Sequence, residues 1–240
     1  MSRPTLDVLH LYPRDMNIYG DWGNVLTIKR RLEWRGYDAH LMSYDPGDPF
    51  PAGADIVIGG GGQDSGQDRV HEDLLGISDR LREMAADGVA MLMVCGMFQL
   101  FGRSFVTSQE RVLEGIGLFD MQTRAGPQRL IGNIVLSSER FGTVVGYENH
   151  SGRTVLGPGV RPLGTVVKGA GNNGDDGAEG AMAHNVIGTY LHGPLLPKNP
   201  AVADFLIERA AVRRYGHLEG TPPDDSLAAL AREVATARPR

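Results

Sequence analysis

The chain has 240 residues, enough for one large α/β domain or one domain with a small elaboration. A net charge of −5 argues against a nucleic-acid binder, and 41% hydrophobic with 22% charged residues is ordinary for a globular protein. A single cysteine excludes an internal disulfide framework and suits a reducing compartment, the opening MSRPTLDVLHLYPRD has no long apolar core of a signal peptide, and no apolar stretch approaches the length of a membrane span.

Residues 6–11 (LDVLHL) read as a first strand. A polar, Gly-rich loop follows, then a helix from about Asn24 with Val25, Ile28 and Leu32 at helical spacing. Residues 37–42 form a second strand, and 45–53, with three prolines, a surface loop. Residues 55–58 are a third strand running into the glycines 59–62. Val70, Leu74, Ile77, Leu81 and Met84 predict one helix. The apolar run 89–94 (VAMLMV), ending at Cys95 and Gly96, reads as a buried parallel strand. This alternation predicts a three-layer α/β fold, a mostly parallel central sheet with helices on both faces.

Beyond about residue 102 the pattern changes. Segments 131–136, 143–147, 163–167 and 181–191 read as short strands, an antiparallel extension that returns to the main sheet near His192. Residues 169–180 (GAGNNGDDGAEG) predict a flexible loop. A helix covers 201–215. A last short helix covers 226–237, with Leu227, Leu230 and Val234 on one face, ending in a terminus that frays or docks on a partner. No repeat or linker divides the chain. Residues 1–240 are one domain, with a core at about 5–216 and a tail at about 221–240.

Cys95 carries the chemistry. A nucleophile at a buried strand's end, with glycine next and a helix behind, sits on a tight turn at the sheet's carboxyl edge. Backbone N–H groups of Gly96 and of Gly60, Gly61 or Gly62 are the expected oxyanion donors there. A lone cysteine is more often a small buried hydrophobe. His192, in GTYLHG at another strand end, weighs against that, because an imidazole near a thiol can accept its proton. Gly61 and Gly66 have phosphate-loop spacing, but Gln67-Asp68 stand where lysine and a hydroxyl residue are needed. The dinucleotide fingerprint lacks its third glycine. Without HExxH spacing or paired cysteines, no metal site is expected.

These residues carry a resemblance. Val94-Cys95-Gly96-Met97-Phe98-Gln99 with Gly188-Thr189-Tyr190-Leu191-His192-Gly193 resembles the class I (triad) glutamine amidotransferases of the cobyric acid synthase type. Tyr147-Glu148-Asn149-His150-Ser151-Gly152 is similar to a further segment of that branch. A narrower likeness lies in Leu11-Tyr12-Pro13, Asn17-Ile18-Tyr19-Gly20-Asp21-Trp22-Gly23-Asn24 and Arg129-Leu130-Ile131-Gly132-Asn133. These resemble the glutaminase subunits of lipid II isoglutaminyl synthases.

The resemblance implies a flavodoxin-like fold and hydrolysis of glutamine to glutamate and ammonia, with Cys95 as nucleophile and His192 as general base and then acid. It implies that Arg129 meets substrate glutamine, and a guanidinium can grip an α-carboxylate in bidentate fashion. Gln99 lines the same pocket or packs below the nucleophile turn. The implied partner is a Mur-ligase-like synthetase subunit, forming a heterodimer. It holds Mg-ATP and amidates the D-glutamate of lipid II to D-isoglutamine in peptidoglycan synthesis. This chain itself needs no cofactor, and the expected location is cytoplasmic, near the inner face of the membrane.

One position departs from the wider class. Many class I enzymes carry a glutamate two residues after the histidine, where this chain has Pro194. The third member is open: Glu148, another acid, or a backbone carbonyl that fixes the tautomer. Competing readings are the same half-reaction with a corrinoid precursor as acceptor, a non-catalytic regulatory subunit, and a thiol peptidase on a related fold.

Overall fold

The computed structural model describes residues 3–239; the outermost ends of the 1–240 span lie outside the described residues. In chain order the elements are β1 (Thr5–Leu11), α1 (Trp22–Trp34), β2 (Asp38–Tyr44), β3 (Ile56–Gly59), α2 (Asp64–Gly76), α3 (Ser78–Ala86), β4 (Ala90–Val94) and α4 (Gly96–Leu100). Then come β5 (Ser104–Val106), β6 (Val112–Glu114), β7 (Met121–Ser138), β8 (Gly142–Leu156), β9 (Gly164–Lys168), β10 (Ala178–Glu179), β11 (Ala181–Ala183), β12 (Val186–Thr189) and β13 (Leu191–His192). Helices α5 (Pro200–Tyr215) and α6 (Ser226–Ala237) close the chain.

The main sheet has the order β11-β12-β4-β3-β1-β2 and is parallel except for β11. Every residue of β3 and β4 is buried, because helical layers cover both faces of a parallel sheet; hence their unbroken apolar sequence. Arg31 of α1 ties α5 and the tail together, donating to both carboxylate oxygens of Asp204 and of Asp225. Among the described residues no helix is long and apolar enough to cross a membrane.

The single helix expected around 70–84 is two helices, with Ile77 at φ −101°, ψ 5° between them. The N–H of Ile77 still bonds Asp73 O, and that of Leu81 bonds Ile77 O. Helical spacing therefore runs through the junction and conceals it.

The extension is a second sheet, β10-β9-β7-β5-β6, in which β7 also pairs with β8. The short strands expected at 131–136 and 143–147 are the inner parts of one long β7–β8 hairpin. The return to the main sheet comes earlier than expected. Thr189 of β12 pairs with Val94, whereas His192 of β13 pairs with Tyr147 of β8. The chain changes sheet at Tyr190, and His192 belongs to the second sheet, at the seam with the first.

The segment expected as a flexible loop is a series of tight turns tied by side chains. Asn172 exchanges two hydrogen bonds with the backbone of Gly180, and Asn173 accepts the N–H groups of Asp175 and Asp176. Its glycines at 169, 171, 174, 177 and 180 all have positive φ. The composition that resembles a linker is the one a run of such turns requires.

Candidate active site

Strand register brings the site together. Gly59 pairs with Met93 and Thr189 with Val94, so the glycine loop, Cys95 and the 190–192 segment leave the same carboxyl edge of the main sheet. Cys95 stands at φ 52°, ψ −104°, a conformation costly for any residue with a Cβ. Its N–H donates to Thr189 O and its carbonyl accepts from Gln99, which fixes the turn on both sides.

The thiol is buried and neutral at rest. Burial, with help from Asp21, pushes its pKa up to about 12, while Arg129 and the N–H of Gly96 act in the opposite direction. His192 is also buried and neutral, its pKa pushed down to about 4 by burial and by the charge of Arg129. Burial thus favours the uncharged form of both groups. The two groups flank one glycine. A methyl placed on Gly61 would lie 2.8 Å from His192 Cε1 and 3.2 Å from Cys95 Cβ.

Neither ring nitrogen of His192 has a hydrogen-bond partner among the described residues. The imidazole instead lies against Tyr19, ring centroids 4.3 Å apart. Glu148, expected as a possible orienting acid, does not bond it. Its carboxylate accepts the N–H groups of Ala170 and Gly171. The reason is strand alternation: Glu148 faces Leu191 across β8–β13, whereas His192 faces Tyr147.

The expected oxyanion donors separate. Gly61 cannot serve as placed, because its N–H donates to Asp21 Oδ2 at 2.7 Å. Asp21 is fully buried, and burial raises its pKa to about 6 despite that bond. A Cβ on Gly60 would fall 2.2 Å from Met16 O, so this glycine makes room for the chain itself. Gly62 N lies beside the nucleophile turn, 3.3 Å from where a Gly96 side chain would begin. Gly62 and Gly96 are the pair best placed to share an oxyanion.

A cavity of about 590 Å³ opens at Cys95, lined among others by Tyr19, Gln99, Arg129, Asn149 and His150. A bulge positions Arg129. Between Ala125, opposite Gly152, and Leu130, opposite His150, β7 carries extra residues, which turns the arginine toward the pocket. Asn149 holds the guanidinium through its Oδ1 and its carbonyl, and Tyr19 OH accepts a longer bond of 3.4 Å. Gln99 does line the pocket, but both ends of its amide are engaged. It accepts from Gln67 and donates to Tyr190 OH, and so also packs beneath the nucleophile.

Tyr19, Asp21, Gln67 and Tyr190 were not singled out from the sequence as site residues. Tyr19 and Asp21 stood within the 17–24 segment and Tyr190 within GTYLHG, both quoted for the resemblance, but without roles of their own. His150 gave a weaker signal. Its ring stacks on Tyr190 with centroids 3.6 Å apart, and Nδ1 faces Gly152 O at 2.9 Å. A carbonyl only accepts, so Nδ1 holds the proton and the buried, unpartnered Nε2 is an acceptor. Burial, with Arg153, His192 and Arg129, drives its pKa down to about 3. No cluster of three metal-ligating side chains occurs among the described residues.

Comparison with known proteins agrees with this architecture. Residues 7–200 match the CobB/CobQ-like glutamine amidotransferase domain. The chain is 37% identical over 231 residues to the lipid II isoglutaminyl synthase (glutamine-hydrolyzing) subunit GatD of Staphylococcus aureus, covering 95% of this chain and 94% of that protein. It is 36% identical over 233 residues to the GatD of Streptococcus pneumoniae, covering 96% and 89%. In fold it resembles the PurLQS structure from Thermotoga maritima, with a TM-score of 0.60 at 17% identity over 85% of this chain and 98% of that one. A second glutamine amidotransferase structure superposes with a TM-score of 0.56 at 18% identity, over 85% and 99%. With residues 7–200 matched by the family and two relatives 36–37% identical over nearly the whole chain, the chain belongs to the CobB/CobQ-like glutamine amidotransferases.

Proposed function

We propose that this chain is the glutaminase subunit of an enzyme that amidates lipid II. The single observation that carries the reading is near end-to-end similarity to two GatD subunits, across a site where Cys95 and Arg129 line one pocket and His192 meets Cys95 across Gly61. Glutamine enters with its α-carboxylate on Arg129 and its side-chain carbonyl over Cys95. The sulfur attacks the carbonyl carbon while His192 takes the thiol proton. The oxyanion receives the N–H groups of Gly96 and Gly62. The C–N bond then breaks, His192 returns the proton to the leaving nitrogen, and ammonia departs from a glutamyl thioester. Water, deprotonated by His192, hydrolyses the thioester to glutamate and frees the thiol.

Ammonia passes to an ATP-dependent, Mur-ligase-like partner, which amidates the D-glutamate of lipid II to D-isoglutamine. Mg-ATP belongs to that partner. The Gln67-Asp68 pair, where a phosphate loop needs lysine and a hydroxyl, supports this division.

The test is co-expression with the Mur-ligase-like protein, followed by incubation with lipid II, glutamine and Mg-ATP. Mass spectrometry reads the amidated product. Cys95→Ala should abolish amidation from glutamine and leave amidation from ammonium salts. Amidation of a corrinoid precursor but not lipid II would replace the acceptor. Amidation of lipid II without a partner, or tight binding of Mg-ATP by this chain in calorimetry, would overturn the two-subunit reading.

A further inference from the structure

Free glutamine is a zwitterion, and the clamp so far described accounts for only one of its two backbone charges. The cavity at Cys95 is lined by one cationic side chain, Arg129, and one carboxylate, Asp64. Asp64 is the first residue of α2 and is solvent-exposed. Its carboxylate makes no hydrogen bond or ion pair with another described residue. Both charges act on the thiol: Arg129 favours the thiolate and Asp64 opposes it.

An acid in a helix's first turn suits the helix whatever the ligand, so that position alone decides nothing. The pocket adds the second observation. The free carboxylate shares a wall with the nucleophile and with a guanidinium already held in place by Asn149. An α-carboxylate and an α-ammonium sit on one carbon. A ligand that gives the first to Arg129 and its amide to Cys95 presents the second within the same cavity. The acceptor on its floor, His150 Nε2, is an uncharged atom closed off from solvent. Asp64 is the charged one.

We propose that Asp64 receives the α-ammonium of glutamine while Arg129 takes the α-carboxylate, so that the pocket selects an amino-acid zwitterion over a simple amide. This rests on the glutaminase reading and deepens it. It also couples binding to reactivity. Before glutamine binds, the Asp64 charge disfavours a thiolate at Cys95; a docked ammonium offsets that charge beside the sulfur. The nucleophile is then best activated when a complete substrate is present.

The experiment uses the full chain, in complex with its ligase partner where that raises turnover. Ammonia release is measured from glutamine and from glutaramate, which is glutamine without its α-amino group. Wild type should prefer glutamine by about tenfold or more in kcat/KM, the scale of one charge-assisted hydrogen bond to a solvent-exposed carboxylate. Asp64→Asn should lower kcat/KM for glutamine at least about tenfold more than for glutaramate, chiefly through KM, and Asp64→Glu should restore part of the preference. Equal loss on both substrates, or no loss on either, would overturn the assignment. So would a wild-type enzyme that uses glutaramate as well as glutamine, a result that needs no variant to fold. Failure of wild type to hydrolyse glutamine at all strikes instead at the glutaminase reading.

Discussion

The His192 imidazole lies on the ring of Tyr19, centroids 4.3 Å apart, although they lie 173 positions apart in the chain, and neither ring nitrogen of the histidine is hydrogen-bonded to a described residue. Among the described residues, ring packing and no hydrogen bond sets the direction of this imidazole. Tyr19→Ala should therefore lower kcat for glutamine hydrolysis by roughly tenfold or more, as expected when a reacting group loses its orientation. Tyr19→Phe keeps the ring and loses only the 3.4 Å contact from Arg129, and should stay within about threefold. Equal losses in steady-state kinetics would mean that the hydroxyl matters and the ring does not.

His192→Ala should reduce glutaminase turnover by roughly 10²-fold or more, the scale of a general acid–base residue. Iodoacetamide should still reach the cavity at Cys95 in the folded variant. A loss below tenfold would move the base role to His150, whose Nε2 is also a free acceptor.

Gly61 has no room for a side chain: its Cβ would meet His192 Cε1 at 2.8 Å, Tyr19 Cδ2 at 3.0 Å and Cys95 Cβ at 3.2 Å. Gly61→Ala should displace the imidazole and cut kcat/KM by about tenfold or more in a protein with a native circular dichroism spectrum. Wild-type kinetics in this variant would show that the Cys–His pair is not packed as described.

Cys95 offers a test of backbone strain. At φ 52° glycine is the preferred residue. Cys95→Gly should be more stable than Cys95→Ala by about 1 kcal/mol, the reverse of the usual order for these residues. Both variants should lack glutamine hydrolysis. Urea denaturation decides the order, and a more stable alanine variant would argue for a relaxed turn.

Glu179 is fully buried, accepts from Tyr190 N–H and Thr189 Oγ1, and has its pKa raised to about 8, chiefly by burial and further by Glu148. A folded-state pKa above the unfolded value gives stability that is complete below the unfolded pKa, near 4.5, and is lost as pH rises toward 8. Glu179→Gln removes this titration and keeps an acceptor for the Tyr190 N–H. Its stability relative to wild type should rise between pH 5 and 8, by on the order of a few kcal/mol. A difference in melting temperature that is flat with pH would mean Glu179 ionises freely.

How much could be read beforehand follows from the range of each interaction. Burial on both faces makes β3 and β4 continuous apolar runs, and a nucleophile turn needs only Cys95, Gly96 and a following helix, so these are written in adjacent residues. Arg129 was named through resemblance and His192 as a histidine at a strand end, and the position of neither was derivable locally. A bulge in β7 aims the first, and a change of sheet at Tyr190 delivers the second. Both depend on pairing between strands far apart in sequence. Glu148 shows the same limit from the other side. One step of strand register decides that it serves the 170–171 backbone and not the imidazole. Gly61 lost its expected role because a carboxylate 40 residues away takes its N–H. The sequence by itself determined the local turn at Cys95 and the buried strands that lead into it. Only the tertiary structure decided which donors remain free, where the base points and which charges face the pocket, because these depend on groups that meet when the two sheets close on one another.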